Sequence, residues 1–324
     1  MPTQIPISID NQIDPEGEKQ ALRELKEALS ETPRRIPTRF LYDQYGSQLF
    51  ERITQLEEYY LTGAERFLLE RHVEEIQRLT DCEELVELGS GAATKTRLLL
   101  DAMQAAGRLG LYIPFDVSES EVERVAEELI HEYPGLQVRG IVADFLHHLT
   151  AIPEGGNRLV LLLGSTIGNL DREAAVGFLR RLSAQMESGD YFLLGIDLIK
   201  DEKKIEAAYN DRLGITAEFN RNILRVVNNL AQADFDVDGF DHRAIYARDL
   251  QRVELYLVAR RRMSVSIPAI DMDLEIDAGE ALLTEISSKY DQSMVEAMLG
   301  EAGFRPVRWF AHPQGLFALT LARI

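Results

Sequence analysis

The chain has 324 residues, 45% of them hydrophobic and 27% charged, which is enough for one large globular domain or two smaller ones. Its 35 Lys and Arg residues against 54 Asp and Glu residues give a formal charge of −19. Such a charge repels nucleic-acid phosphates and anionic lipid, so it argues against a nucleic-acid or membrane function. The single cysteine cannot form an internal disulfide, no Cys/His cluster has metal-ligand spacing, and we find neither a signal-peptide pattern nor a membrane-spanning apolar run. We therefore expect a cytoplasmic protein without a metal site.

The N-terminal quarter is predicted to be helical. Residues 1–16 show no periodicity and are predicted to form a flexible arm. Residues 17–80 are predicted to form a helical N-terminal unit, with apolar residues at helical spacing, a break at Pro33 and Pro37, and then an aromatic-rich helical segment. No strand is predicted in either stretch.

Residues 81–199 alternate regularly between strand-like and helical patterns. Strands are predicted over 84–88, 111–115, 138–142, 158–163 and 191–198, and helices over 94–106, 119–133 and 172–187. Repeated strand-then-helix units predict an α/β fold with a parallel sheet covered by helices on both faces. Ligands in such sheets bind at the carboxyl ends of the strands.

The remainder of the chain departs from this rhythm. Residues 200–285 are predicted to form a substrate-binding insertion or second domain, and residues 286–324 to complete the core. The predicted elements are a helix over 203–229, strands over 252–267 and 274–276, a helix over 291–302 and an antiparallel hairpin of 307–311 with 317–322.

The E-L-G-S-G stretch at residues 87–91 indicates a buried strand that turns sharply into a helix. Gly89 and Gly91 allow the backbone to approach a ligand closely and to adopt positive φ. A dinucleotide fingerprint would place a third glycine at the position of Thr94, so the pattern is closer to the first motif of S-adenosylmethionine-dependent methyltransferases. Lys95 is predicted at the start of the next helix, where the helix dipole disfavours a positive charge. Its ammonium is therefore expected either to bind the carboxylate of S-adenosylmethionine or to project into solvent.

Acidic residues follow the next two predicted strands. Asp116 can accept hydrogen bonds from both hydroxyls of a ribose, although a helix cap is the alternative reading. Asp144 and Phe145 can bind an adenine through its exocyclic amine and its ring face, and the alternative is a loop with a core phenylalanine. Together with the glycine turn, these residues predict an adenosyl site.

Two later clusters are candidates for binding a substrate. Asn169 follows the fourth strand, where it can bind a substrate carboxylate or amide, or else cap the next helix. Glu285 and Ser287 flank Ile286 and face the same way in an extended segment, where they suit the two nitrogens of an imidazole; a surface strand or a helix start is the alternative. His242 has no visible catalytic partner and is predicted to be a surface or capping residue.

Taken together, these motifs resemble the histidine Nα-methyltransferases of ergothioneine biosynthesis (the EgtD family), over essentially the whole chain after the predicted arm. The most specific stretches lie at residues 39–43, 58–62, 87–91, 164–169 and 284–287. The resemblance implies a Rossmann-like class I methyltransferase sheet and three successive methyl transfers from S-adenosylmethionine to L-histidine. It also implies a monomer.

The resemblance further implies a role for each matching residue. It implies that S-adenosylmethionine is bound by Gly89, Lys95, Asp116, Asp144 and Phe145. It implies that Asn169 and Tyr209 bind the histidine carboxylate, that Glu285 and Ser287 bind its imidazole, and that Tyr59, Leu255 and Ile286 line the pocket. Tyr42 would lie near the α-amine. Leu255 stands where the family commonly has methionine, and this substitution nearly conserves volume.

Three alternatives remain at this point. The chain could methylate another aromatic amino acid or small amine, or it could bind S-adenosylmethionine as a non-catalytic sensor. Asn169, Tyr209 and Glu285 argue against a sensor, which has no need of a substrate pocket. A nicotinamide-dependent dehydrogenase is disfavoured by Thr94 and by the lack of a visible acid–base pair.

Overall fold

The computed structural model describes residues 6–12 and 15–324, which fall into two compact units. The first unit comprises the described part of Met1–Ile13 with Gly63–Ile199 and Tyr290–Ile324. The second comprises the described part of Asp14–Thr62 with Lys200–Lys289.

The helices and strands are numbered in chain order. The α-helices are α1 (Pro15–Ser30), α2 (Gln44–Ile53), α3 (Tyr60–Thr80), α4 (Thr96–Ala105), α5 (Glu119–Glu132), α6 (Arg172–Ser183), α7 (Glu202–Tyr209), α8 (Ile215–Ala231) and α9 (Gln292–Glu301). The strands are β1 (Ile7–Asn11), β2 (Glu84–Leu88), β3 (Leu111–Asp116), β4 (Gln137–Val142), β5 (Arg158–Leu162), β6 (Tyr191–Asp197), β7 (Phe240–Ala247), β8 (Arg252–Ala259), β9 (Met263–Ile267), β10 (Met272–Ile276), β11 (Ala281–Ser288), β12 (Arg305–Ala311) and β13 (Phe317–Arg323).

The first unit is built on an eight-stranded sheet, counted over the described residues, in the order β1-β4-β3-β2-β5-β6-β13-β12. The strands from β1 to β6 run parallel, whereas β13 is antiparallel to β6 and to β12. The chain steps outward from β2 to β3 and β4 and then crosses back to β5, so the strand order reverses between β2 and β5. A crevice at the carboxyl ends of the strands is expected at such a reversal. The predicted α/β fold with its parallel sheet and closing antiparallel hairpin is confirmed.

The core of this sheet explains why its strands read as continuous apolar runs. Every residue of β5 is buried, and so are Leu85 to Leu88 of β2. Helices cover a parallel sheet on both faces, so the side chains on either face of a strand are buried.

The second unit has an antiparallel three-stranded sheet in the order β11-β8-β7 and an antiparallel pair of β9 with β10. Helix α8 contributes buried residues at intervals of four: Phe219, Ile223, Val227 and Ala231. This spacing places them on one helical face, which packs into the unit's hydrophobic core.

The prediction of a flexible arm over residues 1–16 is wrong for residues 7–11. They form β1, which pairs in parallel with β4 from Ile7 opposite Val138 to Asn11 opposite Val142. Two isoleucines that alternate with polar residues are too short a pattern to predict a strand. The segment becomes a strand because it pairs with the edge of β4. Residues 1–5, 13 and 14 of the predicted arm lie outside the described residues.

The single helix predicted over 203–229 is also wrong, because it is two helices. Gly214 adopts a φ of 69° before α8, and the Asp211 carboxylate accepts the backbone N–H groups of Ile215 at 3.0 Å and Thr216 at 2.8 Å. These contacts cap α8 and leave Tyr209 as the last residue of α7.

The unit boundaries also differ from those predicted. The predicted helical unit 17–80 is divided, since the chain from Gly63 onward belongs to the first unit. The second unit extends to Lys289, beyond the predicted boundary at 285, because β11 pairs along its length with β8. None of the described helices is long and apolar enough to cross a membrane.

Candidate active site

The glycine turn after β2 has the backbone geometry that the sequence predicts. Gly89 and Gly91 adopt φ values of 74° and 46°, which favour glycine. A Cβ on Gly89 would lie 3.5 Å from Cε1 of Phe145, so the phenylalanine ring lies directly beside the turn. The hydroxyl of Ser90 is buried without a hydrogen-bond partner. A buried polar atom of this kind fits a site that receives a polar ligand.

Asp116 ties the end of β3 to this turn. Its carboxylate accepts the backbone N–H of Gly91 at 2.9 Å and that of Ser118 at 3.1 Å. Burial raises the pKa of Asp116, and these hydrogen bonds oppose the rise. The cap of α5 is Ser118 rather than Asp116, which removes the capping alternative. A carboxylate has about four acceptor sites, so the acceptor capacity that these backbone groups leave suits a hydroxyl donor such as that of a ribose.

Asp144 and Phe145 follow β4 at the same edge of the sheet. The Asp144 carboxylate accepts the N–H of Leu146 at 2.9 Å and lies 3.1 Å from Nδ1 of His147. The Phe145 ring packs edge-on against Phe115 and Phe178, with centroids 6.4 Å and 6.0 Å away. The structure thus brings together the glycine turn, Asp116 and Phe145 in a cradle that fits an adenosyl group.

Lys95 does not project into solvent, which was one of the two predicted environments. Its ammonium forms an ion pair with Glu65 of α3, a residue that is 0% exposed. The same carboxylate accepts the backbone N–H of Gly164 at 2.8 Å and 3.0 Å. Glu65 therefore joins the helix that follows the glycine turn to the loop that follows β5. Sequence analysis missed this residue, since its partners lie far away in the chain.

Asn169 ends a short 3₁₀ helix, Thr166–Asn169, in this loop. The preceding residue, Ser165, adopts a left-handed φ of 59°, and its buried hydroxyl accepts the N–H of Asp197 at 2.9 Å. Strain of this kind in a non-glycine residue is frequent at functional sites. Asp171, not Asn169, caps α6 by accepting the N–H of Ala174 at 2.9 Å, so the capping alternative for Asn169 is excluded.

The second unit contains an aromatic cluster around Tyr42. The ring of Tyr42 contacts Phe50 and Phe219 edge-on, with centroids 5.7 Å and 5.5 Å away. Tyr59 contacts Phe50 at 6.2 Å and Tyr209 at 6.3 Å. Tyr42, predicted to act in catalysis, therefore belongs to one cluster of rings with two predicted substrate-binding residues, Tyr59 and Tyr209.

Asp43 explains why an acid follows Tyr42 in the sequence. Its carboxylate accepts the N–H of Gly46 at 2.7 Å, which caps α2, and the side-chain amide of the buried Asn222 at 2.7 Å. A Cβ on Gly46 would lie 1.8 Å from the carbonyl oxygen of Leu41, so glycine is required there. These contacts hold Tyr42 at the edge of the aromatic cluster.

Glu285 and Ser287 are buried on β11, and Leu255 lies directly opposite Glu285 on β8. Ile286 is half-buried and points to the opposite face, as the alternation of a strand requires. Burial raises the pKa of the Tyr42 hydroxyl well above its usual range, and the Glu285 carboxylate is the next largest cause. The predicted imidazole-binding carboxylate thus lies near the aromatic cluster.

Sequence analysis also missed a buried cation beside Tyr209 and Ser287. Lys289 is 0% exposed, and its ammonium donates to the hydroxyl of Tyr209 at 2.8 Å and to that of Ser287 at 2.7 Å. The two hydroxyl oxygens are themselves 2.8 Å apart. The spacing of Ser287 and Lys289 on alternate residues was the one signal that could have indicated a shared face.

His242 is half-buried in the second unit and bonds the last carbonyl of α7, which agrees with its prediction as a capping residue rather than a catalyst. The amide Nδ2 of Asn220 donates to its Nδ1 at 3.0 Å, and its Nε2–H therefore donates to the carbonyl of Tyr209 at 2.9 Å. Burial lowers the pKa of His242. Asn220 also accepts the hydroxyl of Thr284 at 2.6 Å. This neutral network fixes the end of α7 against β11.

The predicted site residues thus fall into two groups. The first unit contains Gly89, Lys95, Asp116, Asp144, Phe145 and Asn169. The second unit contains Tyr42, Tyr59, Tyr209, Leu255, Glu285, Ile286 and Ser287. No group of three His, Cys, Asp or Glu residues within 6–12 and 15–324 has the geometry to bind a metal ion.

Comparison with known proteins identifies the family. Residues 21–324 match the model of the family described as histidine-specific, S-adenosylmethionine-dependent methyltransferase. A histidine N-alpha-methyltransferase of Mycobacterium tuberculosis is 42% identical over 317 residues, which cover 98% of this chain and 99% of that protein.

Two more distant relatives are also similar. Ergothioneine biosynthesis protein 1 of Neurospora crassa is 33% identical over 303 residues, which cover 90% of this chain and 34% of that protein. An L-tryptophan methyltransferase of Psilocybe serbica is 26% identical over 300 residues, which cover 83% of each chain. The family match spans nearly the whole chain, and the chain belongs to the histidine-specific, S-adenosylmethionine-dependent methyltransferase family.

Proposed function

We propose that this enzyme transfers three methyl groups in succession from S-adenosylmethionine to the α-amine of L-histidine. The products are hercynine, which is trimethylhistidine, and S-adenosylhomocysteine, and the reaction is the first step of ergothioneine biosynthesis. The observation that carries the proposal is the burial of Glu285 and Ser287 together on β11, close to Tyr42 and Tyr209. The 42% identity to a histidine N-alpha-methyltransferase supports the same substrate.

The first unit would bind the methyl donor, which supplies an activated methyl group on a sulfonium. Asp116 binds the ribose hydroxyls, Gly89 allows close approach of the backbone, and Asp144 and Phe145 bind the adenine. Lys95 binds the amino-acid carboxylate of the donor while Glu65 holds the lysine in place. The support for these roles is the cradle formed by the glycine turn and the two strand ends.

The second unit would recognise the imidazole. Glu285 accepts the imidazole N–H, Ser287 bonds the other nitrogen, and Tyr59 and Leu255 line the pocket, whereas Ile286 points to the opposite face of β11. Tyr209 binds the substrate carboxylate, and the family resemblance assigns the same role to Asn169. Fixing both ends of the amino acid orients the amine for in-line attack on the methyl group.

The amine must be neutral when it attacks. Tyr42 cannot act as a phenolate base near neutral pH, because the pKa of its hydroxyl is raised well above the usual range. We infer that the protonated phenol orients the amine by a hydrogen bond and that the amine loses its proton to solvent. A monomeric state and a cytoplasmic location complete the proposal, with the acidic composition and the family resemblance as their support.

The test is incubation of the full chain with S-adenosylmethionine and each of the twenty amino acids, with products identified by mass spectrometry. Trimethylation of histidine is the expected result. Failure to methylate histidine would overturn the proposal. Binding of the donor without methylation of any amino acid would favour a sensor instead.

A further inference from the structure

Strand β11 contains one more residue than its partner β8 at the point where Glu285 lies. Leu282 is opposite Leu257 and Glu285 is opposite Leu255, so three steps along β11 match two steps along β8. Thr284 is the extra residue, since it has no opposite residue in this register. An extra residue of this kind forms a β-bulge, and bulges are frequent beside active sites, where they change the direction of a side chain.

The bulge determines which face of β11 carries Glu285. Leu255 and Leu257 are two residues apart on β8 and point to the same face, and residues directly opposite each other in a strand pair share a face. Leu282 and Glu285 therefore also share a face, although residues three apart in a regular strand point to opposite faces. Leu257 and Leu282 both belong to the hydrophobic core of the second unit, so Glu285 lies on the core side of its strand.

Side-chain hydrogen bonds hold the bulge in place. The hydroxyl of Thr284 lies 2.6 Å from Oδ1 of Asn220 on α8 and 2.9 Å from the carbonyl oxygen of Leu255 on β8. The hydroxyl of Thr38 donates to the carbonyl of Thr284 at 3.1 Å. The Asn220 amide Nδ2 donates to the carbonyl of Tyr256 at 3.1 Å. The two β8 carbonyls beside the bulge therefore both bond to side chains.

The orientation of the Asn220 amide is fixed by its other partners. Asn220 is 0% exposed, and Nδ2 donates to Nδ1 of His242 at 3.0 Å as well as to the Tyr256 carbonyl, so Oδ1 faces Thr284. An amide oxygen is only an acceptor, so the Thr284 hydroxyl must supply the proton. Valine at position 284 would keep the branched shape of threonine but leave this buried oxygen without its donor, which is costly.

We propose that Thr284 and Asn220 are positioning residues that fix the register of β11 and thereby direct the Glu285 carboxylate to the substrate pocket. The inference rests on the proposed function, and neither residue needs to touch the substrate. In a regular pairing of the same sequence, Thr284 would lie opposite Leu255, and Glu285 would lie opposite Glu254 on the other face. The bulge therefore also separates two acidic side chains, which are destabilising when they lie directly opposite each other.

The experiment measures the dissociation constant of L-histidine by calorimetry, with the full chain saturated with S-adenosylhomocysteine. Thr284→Val should weaken histidine binding about tenfold, whereas Thr284→Ser, which restores the hydroxyl, should bind within about threefold of the wild type. The dissociation constant of S-adenosylhomocysteine should be unchanged in both variants, because its proposed site lies in the first unit. Thr32→Val, at an exposed position of the second unit, is the matched control and should behave like the wild type.

A double-mutant cycle distinguishes positioning of Glu285 from a general structural role. It is measured as kcat/KM for histidine, which stays measurable when binding is weak. In a Glu285→Ala background, Thr284→Val should have little further effect, because the carboxylate that the bulge directs is already absent. Equal losses in the two backgrounds, or full histidine affinity in Thr284→Val, would overturn the inference.

A milder variant keeps the test decisive if Thr284→Val does not fold or does not bind S-adenosylhomocysteine. Thr38→Val removes the hydrogen bond to the Thr284 carbonyl and should weaken histidine binding about threefold, again with little effect in the Glu285→Ala background. Unchanged histidine affinity in Thr38→Val would then overturn the inference. A wild-type chain that binds S-adenosylhomocysteine but not histidine would instead contradict the proposed function.

Discussion

The Glu65 carboxylate and the Lys95 ammonium form an ion pair in which the acid is completely buried. The acid also accepts the N–H of Gly164, so one side chain of α3 connects the regions that follow β2 and β5. A Cβ on Gly195 of β6 would lie 2.1 Å from the Glu65 carboxylate, so the sheet itself makes room for this acid. Glu65 therefore links two segments that follow neighbouring strands of the sheet, although it lies outside the motifs of the sequence analysis.

Replacing Glu65 should affect both stability and cofactor binding. Glu65→Gln leaves Lys95 without its anionic partner, and we expect a loss of about 1–3 kcal/mol in the free energy of unfolding, since the lysine keeps partial access to solvent. The affinity for S-adenosylmethionine should fall as well. Urea denaturation and calorimetry measure the two effects.

The control for this change is Glu70→Gln on the same helix. Glu70 is exposed and pairs with Arg66 at 2.7 Å, so its replacement should cost well under about 1 kcal/mol. Equal effects of the two substitutions would show that Glu65 has no special role.

Asp116→Asn tests the ribose site. The amide loses one anionic acceptor while keeping nearly the same volume, and hydrogen bonds to a charged group contribute about 1.5–3 kcal/mol. We expect the dissociation constant of S-adenosylmethionine to rise by about 10- to 100-fold, measured by calorimetry, with Glu123→Gln on the exposed face of α5 as the control. An unchanged dissociation constant for Asp116→Asn would remove Asp116 from the site.

Glu285→Ala separates the substrate site from the cofactor site. The variant should lose about 10- to 100-fold in histidine affinity and retain its affinity for S-adenosylmethionine, because Glu285 belongs to the second unit and the adenosyl cradle to the first. Glu275→Gln, at an exposed position of β10, provides the matched control. A parallel loss of both affinities would indicate a folding defect rather than a recognition role.

Glu87 makes the stability of the enzyme depend on pH. Its buried carboxyl accepts the hydroxyls of Thr96 at 2.5 Å and Tyr112 at 2.6 Å, and burial raises its pKa to about 7. An acid with a raised pKa in the folded state is destabilising when ionised, so its penalty is absent below the unfolded pKa of about 4.5 and develops as the pH rises to about 7.

Glu87→Gln removes this penalty. Relative to the wild type, the variant should gain about 1–3 kcal/mol in the free energy of unfolding between pH 4.5 and pH 8, as measured by urea denaturation at both values. Glu127→Gln on the exposed face of α5 should show no such gain. A constant difference between Glu87→Gln and the wild type across this range would refute the raised pKa.

Tyr42→Phe tests the role assigned to the phenol. If the hydroxyl orients the amine, the variant should turn over more slowly at all pH values, and neither enzyme should show a phenol ionisation between pH 7 and pH 9. Rates that match the wild type throughout the profile would exclude a role for the hydroxyl.

Sequence patterns predict those parts of the site whose signals are local. Gly89 and Gly91 lie within one turn, and Asp116 directly ends a strand, so their backbone positions follow from short-range patterns. Lys289 is different, because its partner Tyr209 lies 80 residues earlier in the chain. Glu65 lies 99 residues from Gly164, and β1 pairs with a strand more than a hundred residues away. Contacts over such separations depend on the tertiary fold, so no local pattern marks them.

We expect histidine to be the methyl acceptor in preference to tryptophan, and a competition experiment compares the two amino acids in one reaction. The full chain is supplied with S-adenosylmethionine and equal concentrations of L-histidine and L-tryptophan, and tandem mass spectrometry locates the methyl groups in the products. We predict histidine with three methyl groups on its α-nitrogen and unmodified tryptophan. Methylated tryptophan as the main product, or methyl groups on the imidazole ring, would contradict it.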